Sequence, residues 1–365
     1  MLEIKSEDKG PKILVIGVGG GGNNAVNRMI SAKLMGVHFA AVNTDIAVLN
    51  NSLAEEKIQI GAKLLNGYGA GADPELGETA AMESEEEIIN LIANQDMVII
   101  TCGMGGGTGT GAVPFIAKCC KQANILTLAV VTKPFSFENK PRMVAAEGGI
   151  SKLRENVDTL LIIPNDKLLS ISEKPLMLSD AFELADSVLK DTIRGISNIV
   201  YNCGNINIDY NDVKTTLKNK GTGHFGIGIV EQDGSILESV KQAVNCPLLE
   251  TSIAGAENIL INISGQVCLP ELDDALNYIR ELAGEEVNII WGTVEEEECD
   301  KIVVSLFATG MPEKQKQKIV CKVSEKSVSQ SYHANVVRAK DDMKTIEIPP
   351  FLRKHSLGRD TAVGK

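Results

Sequence analysis

The first half of the chain alternates short apolar runs with segments of helical periodicity. The apolar runs are rich in β-branched residues, as is typical of strands buried on both faces of a parallel sheet, and they cover 12–18, 37–44, 57–61, 97–102, 125–131 and 159–164. Helical segments are predicted between most of these runs, near 24–33, 77–93, 108–122 and 142–156. This alternation predicts a doubly wound α/β domain with a mostly parallel sheet.

A long helix and a second set of strands follow. Apolar residues recur at helical spacing from Phe182 to Ile196, so a single helix is predicted over 179–200 with Ser179 as its N-cap. Beyond it, strands are predicted at 224–230, 259–265, 287–294 and 301–310, with helices at 235–245 and 270–283. This pattern predicts a second, smaller α+β domain.

The pattern divides the chain into seven segments. They are a flexible N-terminal segment (1–11), a nucleotide-binding domain (12–178), a central helix (179–200), a loop with the helix after it (201–219), the α+β domain (220–311), a flexible linker (312–345) and a tail (346–365). The linker is polar and has no hydrophobic period, so we expect it to behave as a coil.

Charge and composition narrow the function classes. The formal net charge is −12, which argues against a nucleic-acid partner because such proteins present a basic face. No signal peptide and no apolar run of about 20 residues is evident, so we expect a cytoplasmic protein without direct membrane insertion. None of the 8 cysteines has zinc-ligand spacing, and reduced cysteines in a cytosolic protein are the favoured interpretation.

Two glycine-rich loops follow predicted strands and open helices. In the first, Gly17, Gly19 and Gly22 match G-x-G-x-x-G, and Asp45 ends the next strand; alone, this indicates an NAD-dependent oxidoreductase of the Rossmann type. The second loop, 105–111, is GGGTGTG. Two such loops at one sheet edge favour a longer phosphate chain held by backbone N–H groups and helix N-termini. No P-loop motif with its lysine occurs, and a third turn at 69–80 is placed to close over a terminal phosphate.

The nucleobase needs its own recognition group. Guanine presents two adjacent donors that a single carboxylate can accept, and Asp186 on the long helix is the candidate for that role. Phe182, one turn earlier, can stack on a base, and Asn165 can reach the base or the ribose.

Taken together, these motifs resemble those of a known family. They are similar to those of the tubulin/FtsZ family of GTPases and, within it, of the bacterial cell-division FtsZ proteins. The matching stretches lie at 17–29, 43–45, 69–77, 103–117, 132–142, 163–169, 185–197, 205–213 and 348–354, and the likeness covers 11–310 almost continuously. Asn23, Cys102 and Phe225 depart from the family pattern.

The resemblance implies a site for GTP and GDP. The residues assigned to it on this basis are Gly19, Gly20, Gly21, Asn24, Asn43, Asp45, Gly69, Ala70, Gly71, Gly103, Met104, Gly105, Gly106, Gly107, Thr108, Gly109, Thr110, Gly111, Pro134, Glu138, Arg142, Asn165, Phe182 and Asp186. For Glu138 and Arg142 an i,i+4 surface ion pair is the alternative. Mg²⁺ is expected to be held mainly by the phosphates and water.

An acidic set after the long helix is the candidate for hydrolysis. Asn207, Asp209 and Asp212 can orient a water toward the γ-phosphate; the alternative is a helix N-cap with acids favoured by the helix dipole. The stretch from 186 to 206 covers about 30 Å as a helix, which is too far for these residues to reach a phosphate in their own chain. We therefore expect them to act on the nucleotide of a neighbour stacked head to tail, in an open filament.

The tail and the competing functions complete the expectations. The tail resembles the peptide through which the family binds membrane anchors and division regulators; its residues are Ile348, Pro349, Phe351, Leu352, Arg353 and Lys354. This resemblance implies localisation at midcell. A disordered terminus is the alternative. A nucleotide-binding scaffold without turnover is a further alternative, and the intact acidic set argues against it.

Overall fold

The computed structural model describes residues 10–34, 36–171, 177–201, 206–231, 234–246, 251–294 and 301–312. Residues as far as Glu313 belong to one compact unit. The predictions for the first nine residues, for nearly all of the linker and for the whole tail at 346–365 lie outside the described residues. The predicted segment boundaries stay predictions.

A sheet of seven parallel strands organises the first part of the chain. In chain order the strands are β1 (Ile13–Val18), β2 (Val37–Asn43), β3 (Glu56–Gln59), β4 (Met97–Gly103), β5 (Leu126–Lys133), β6 (Thr159–Pro164) and β7 (Gly221–Thr222). Their spatial order is β3-β2-β1-β4-β5-β6-β7. The order reverses between β1 and β4, which lie side by side. In open α/β sheets the crevice beyond the carboxyl ends of such a strand pair is where ligands bind.

Helices cover both faces of this sheet. They are α1 (Gly19–Ser31), α2 (Ile46–Asn50), α3 (Ala62–Leu65), α4 (Pro74–Glu83), α5 (Glu85–Ile92), α6 (Thr108–Gln122), α7 (Lys140–Arg154), α8 (Asn165–Ile171), α9 (Leu178–Tyr201) and α10 (Tyr210–Leu217). Alternate residues of β1 enter different cores: Leu14 and Ile16 pack with α4 to α7, whereas Ile13 and Val15 pack with α1, α9 and α10. This is why the strand is apolar at every position.

A smaller mixed sheet completes the compact unit. Its elements are β8 (His224–Glu231), α11 (Ile236–Val244), β9 (Asn258–Ser264), α12 (Leu269–Ala283), β10 (Asn288–Val294) and β11 (Lys301–Thr309). The strand order is β10-β9-β11-β8, with β11 antiparallel to both of its neighbours. Phe225, a departure from the family pattern, packs against α9: a Cβ on Gly195 would lie 2.5 Å from its ring.

The predicted fold class is confirmed, and several element predictions need correction. The helix predicted at 77–93 is two helices, α4 and α5, which meet at Ser84. The helix predicted at 24–33 begins earlier, at Gly19, because glycines as well as larger residues form its first turn. Helix α8 over Asn165–Ile171, short helices α2 and α3, and strand β7 were not predicted, since segments this short carry little periodicity.

Candidate functional site

The first glycine loop is the direct junction of β1 and α1. Gly19 begins the helix with φ +71°, a conformation that glycine adopts without strain. A Cβ on Gly22 would lie 2.4 Å from the Thr101 carbonyl oxygen of β4, so only glycine lets this helix sit so close to the sheet. At Gly20 the corresponding space is open. The loop therefore presents an uncovered backbone surface at the N-terminus of a helix.

The second glycine loop joins β4 to α6 and touches the first loop. A Cβ on Gly19 would lie 3.1 Å from the Gly109 amide nitrogen, which places the two backbones in contact. Gly106 faces open space, whereas a Cβ on Gly107 would lie 2.8 Å from the Asp73 amide nitrogen of the third turn. All three predicted phosphate segments therefore meet at one place.

A cavity of about 230 Å³ lies where these segments meet. Its lining residues are Gly20, Asn43, Thr44, Asp45, Val48, Gly69, Ala70, Gly71, Ala72, Gly107 and Thr108. None of them carries a positive charge, so backbone N–H groups and the N-termini of α1 and α6 supply the favourable potential for an anion. The cavity is suited to the phosphate end of a nucleotide rather than to a whole one.

Buried side chains support the loops around this cavity, which we call the phosphate cradle. Asn23 is fully buried; its amide donates to the Gly17 carbonyl (2.7 Å) and its oxygen accepts from the Asn43 amide (2.7 Å). The oxygen of Asn43 accepts from the Asp45 backbone (3.2 Å). The side chain of Asn43, assigned to the nucleotide by resemblance, thus makes two hydrogen bonds within the protein, and the residue also lines the cavity. A contact with the nucleotide stays a prediction. Asn23, which was noted only as a departure from the family, is the residue that fixes this network.

Two threonines of the second loop have different surroundings. Thr108 exchanges a hydrogen bond with Thr44 (2.6 Å), a residue of the 43–45 stretch that was not assigned to the site, and both line the cavity. Thr110 is buried, and its hydroxyl accepts from the Gly105 amide (2.8 Å). Thr110 therefore stabilises the loop from within and is not among the residues that line the cavity. Cys102, whose Cβ would lie 3.3 Å from a Cβ on Gly109, is likewise fully buried.

Asp45 and Asn24 are placed differently from each other. The carboxylate of Asp45 caps α2 by accepting from the Ala47 (2.8 Å) and Val48 (3.3 Å) amides, while the residue also lines the cavity. Asn24 is exposed on the first turn of α1. A contact of either side chain with a nucleotide stays a prediction.

An aromatic group marks the other end of the site. Phe182 on α9 is 41% exposed and packs edge to face against Phe135 (centroids 5.4 Å apart), and Phe137 stacks on Phe135 (4.9 Å). Asn165, at the start of α8, is 5% exposed and its side-chain oxygen has no hydrogen-bond partner among the described residues. A buried acceptor without a partner is costly, so this oxygen fits a donor on a bound ligand.

Asp186, the candidate for base recognition, is held by a cation. Arg28 on α1 donates from Nε to its carboxylate (3.2 Å) and from Nη1 to Glu183 (2.7 Å). Burial raises the pKa of the Asp186 carboxyl above its usual range, and the hydrogen bond from Arg28 opposes that rise. Arg28 was missed because nothing in the sequence pairs it with a helix more than 150 residues away.

Glu138 and Arg142 form the i,i+4 ion pair that was the alternative for them (2.8 Å). Glu138 also accepts from the Phe135 amide (2.9 Å), which fixes the turn that carries the aromatic group. A Cβ on Gly105 would lie 2.8 Å from the Arg142 carbonyl and 3.3 Å from the Pro134 ring. Arg142 and Pro134 therefore lie next to the second glycine loop. A contact of Glu138, Arg142 or Pro134 with a nucleotide stays a prediction.

The acidic set lies at the amino ends of the strands, on the side of the sheet opposite to the glycine loops. Asp209 caps α10 and accepts from the Asp212 amide (2.9 Å), as the N-cap alternative predicted. In the same helix, the Tyr210 hydroxyl donates to the carbonyl of Asp96, the residue before β4 begins (2.7 Å). The glycine loop follows the other end of β4, whose seven residues span about 20 Å. Asn207 is exposed in the loop that precedes the cap.

A larger cavity lies elsewhere in the described part of the chain. It has a volume of about 480 Å³ and lies between α9 and the smaller sheet, with Val188, Gly195 and Ile227 among its lining residues. The glycine loops do not line it. Volume alone would favour this cavity over the smaller one at the glycine loops, although a phosphate site needs backbone donors rather than volume.

Comparison with known proteins follows the same division of the chain. Residues 12–173 match the GTPase domain of the tubulin/FtsZ family, and residues 221–312 match the C-terminal domain of the FtsZ family. The chain belongs to the tubulin/FtsZ family. Membership rules out the oxidoreductase alternative and implies a guanine-nucleotide site.

Solved structures agree with this assignment. An FtsZ dimer from M. jannaschii, described as empty, is 40% identical, with a TM-score of 0.78 over 83% of this chain and 89% of that one. CetZ1 from Haloferax volcanii, a GDP-bound monomer, is 22% identical (TM-score 0.73; 83% and 95% covered). CetZ2 from the same organism, a GTPγS-bound protofilament, is 20% identical (TM-score 0.72; 83% and 94% covered). At these lower identities the likeness concerns the fold alone.

Proposed function

We propose that this protein hydrolyses GTP in head-to-tail filaments, in which Asn207, Asp209 and Asp212 of one molecule complete the site of the next. The proposal adds assembly and a shared site to what family membership implies. Its support comes from this chain's own geometry and from the dimer and protofilament named among the related structures.

The observation that carries the proposal is the separation of the two halves of the site. The loops able to hold phosphates follow the carboxyl ends of β1 and β4, whereas the acidic set lies at the amino ends. About 20 Å of strand lies between them, so no hydrogen bond can join them within one molecule. A translation of one copy onto the next brings the two edges together, and a heterologous contact of this kind repeats without closing.

Each half has a distinct chemical task. The glycine loops hold the phosphates with backbone amides, and Asn165, Phe182 and Asp186 receive the base. Asp209 and Asp212, brought by the neighbour, orient the attacking water and polarise it. Mg²⁺, when bound, would neutralise phosphate charge, and we expect phosphate and water to hold it mainly.

Mixing two inactive variants tests the shared site. Asp212→Ala removes the acid but keeps the glycine loops, and Gly107→Val blocks the cradle but keeps the acid. Asn211→Ala, an exposed neighbour on the same helix turn, is the matched control for Asp212→Ala. We expect Asp212→Ala to bind GDP normally and to lose turnover by at least about 100-fold. Phosphate release should recover in the mixture; no recovery in filaments shown to contain both variants would refute the shared site.

The tail proposal rests on sequence alone. Ile348, Phe351 and Leu352 next to Arg353 and Lys354 suit a short peptide that docks in a groove of a membrane anchor or a division regulator, and this would bring the filaments to midcell. No helix in the described residues is long and apolar enough to cross a membrane. Deleting 346–365 should abolish midcell fluorescence of the tagged protein and leave GTP turnover intact; unchanged localisation would contradict the docking role.

A further inference from the structure

We propose that Arg28 is a positioning residue for guanine recognition, because it holds the carboxylate of Asp186 ionised and oriented toward the base. This inference rests on the proposed function, in which Asp186 receives the base. It assigns a role to a residue that lies in the matching stretch 17–29 but was not assigned to the site. The guanidinium of Arg28 connects α1, which begins at the first glycine loop, with α9, which carries Asp186.

The geometry supports a bridge between the two ends of the nucleotide. Arg28 is nine residues after Gly19, so it lies about 14 Å along α1 from the phosphate cradle. Glu183 and Asp186 are three residues apart on one face of α9, and Arg28 donates to both, at 2.7 and 3.2 Å. Phe182 is one turn earlier on the same helix and packs against Phe135. The bridged carboxylate is therefore placed where the base would lie if the phosphates occupied the loops.

Burial separates this contact from an ordinary surface salt bridge. The side chain of Asp186 is 15% exposed, compared with 61% for that of Glu183. Exposed pairs contribute little, but a carboxylate taken out of water loses its charged form unless a cation or donor compensates. In the described structure the charged groups that act on Asp186 are Arg28 from α1 and Glu183 from its own helix. Glu183 repels the charge, which leaves Arg28 as the compensating group.

The chemistry of the base makes the role measurable. Guanine offers N1–H and an exocyclic amine, whereas hypoxanthine lacks the amine. An ionised carboxylate held in place can accept from both donors of guanine, and a protonated or rotated one cannot. Loss of Arg28 should therefore weaken the binding of guanosine diphosphate more than that of inosine diphosphate. A merely structural role would weaken the binding of both nucleotides equally.

Calorimetric titration of the full chain with GDP, IDP and ADP tests the inference without interference from turnover. Arg28→Met should lower GDP affinity about tenfold, equivalent to about 1.4 kcal/mol, and should shrink the GDP-to-IDP preference by a similar factor. Arg28→Lys, which keeps the charge, should restore part of the preference. Arg194→Met, the same change at an exposed site on α9, is the matched control and should bind like the wild type.

The outcomes separate the inference from the proposed function. A wild-type protein that does not prefer GDP over ADP contradicts the guanine site itself. A wild-type preference with an unchanged GDP-to-IDP ratio in Arg28→Met overturns the role of Arg28 alone. Thermal unfolding of each variant is measured beside binding. Should Arg28→Met fail to fold, Arg28→Gln, which keeps a donor but removes the charge, replaces it, and a wild-type GDP-to-IDP preference in Arg28→Gln would also overturn the role.

Discussion

Replacing Asn23 by alanine tests the view that this side chain supports the phosphate cradle rather than touching the nucleotide. Asn23 is fully buried and makes two side-chain hydrogen bonds of 2.7 Å, to Gly17 and from Asn43. The change leaves a buried carbonyl and a buried amide each short of a partner. At about 1–3 kcal/mol for each such group, we expect a loss of about 2–6 kcal/mol in the free energy of unfolding. For a unit of this size that corresponds to a fall of about 3–10 °C in Tm.

The assay compares Asn23→Ala with Asn24→Ala, its exposed neighbour, by calorimetric unfolding with and without GDP. Asn24→Ala should unfold at the wild-type temperature but gain less stability from GDP, because it loses a ligand contact. Asn23→Ala should show the early unfolding already without nucleotide. If Asn23→Ala unfolds at the wild-type temperature, the buried network does not stabilise the cradle and the reasoning is wrong.

Three further predictions follow from single sites. Gly111→Ala should lower the free energy of unfolding by about 3 kcal/mol in chemical denaturation, because its Cβ would lie 1.9 Å from the Pro74 carbonyl oxygen. Gly106→Ala, in open space, should be as stable as the wild type, and equal stabilities of the two variants would contradict this. Phe182→Ala should weaken GDP binding about tenfold in calorimetry with little change in Tm; unchanged binding would remove it from the base site. Burial lowers the pKa of His224 below 6.5, so the unfolded chain binds this proton more readily than the folded one, and the free energy of unfolding should fall as pH drops through 6.5. His224→Gln should reduce this dependence of stability on pH, and an unchanged dependence would contradict the reasoning.

The sequence predicted the framework of the site because its signals are local. Strands β1 and β4 are almost wholly apolar, with Thr101 the polar residue of β4, and glycine-rich loops follow them, so the placement of these loops at the carboxyl ends of neighbouring strands followed from parallel topology alone. The position of Asp209 and Asp212 at the far edge followed from the length of α9. Each inference needed only the period of an element and its direction.

What the sequence could not predict depends on contacts between distant elements. Arg28 meets Asp186 across 158 positions, and Thr44 meets Thr108 across 64. Asn23, noted only as a departure from the family pattern, carried a signal that was not used. A polar residue next to Gly22, among the positions that α1 buries, must satisfy its amide within the core. Thr110 faces inward for a reason visible only in three dimensions, namely the curl of the loop around its hydroxyl.

The most direct test of the shared site is the dependence of GTP turnover per molecule on protein concentration. If the acidic set acts on the neighbour's nucleotide, phosphate release per molecule should be close to zero in dilute solution, where single molecules prevail. It should then rise with concentration as molecules stack, while the fraction of protein bound to GTP stays constant. A rate per molecule that remains at its full value upon dilution, with scattering showing no assembly, would contradict the account.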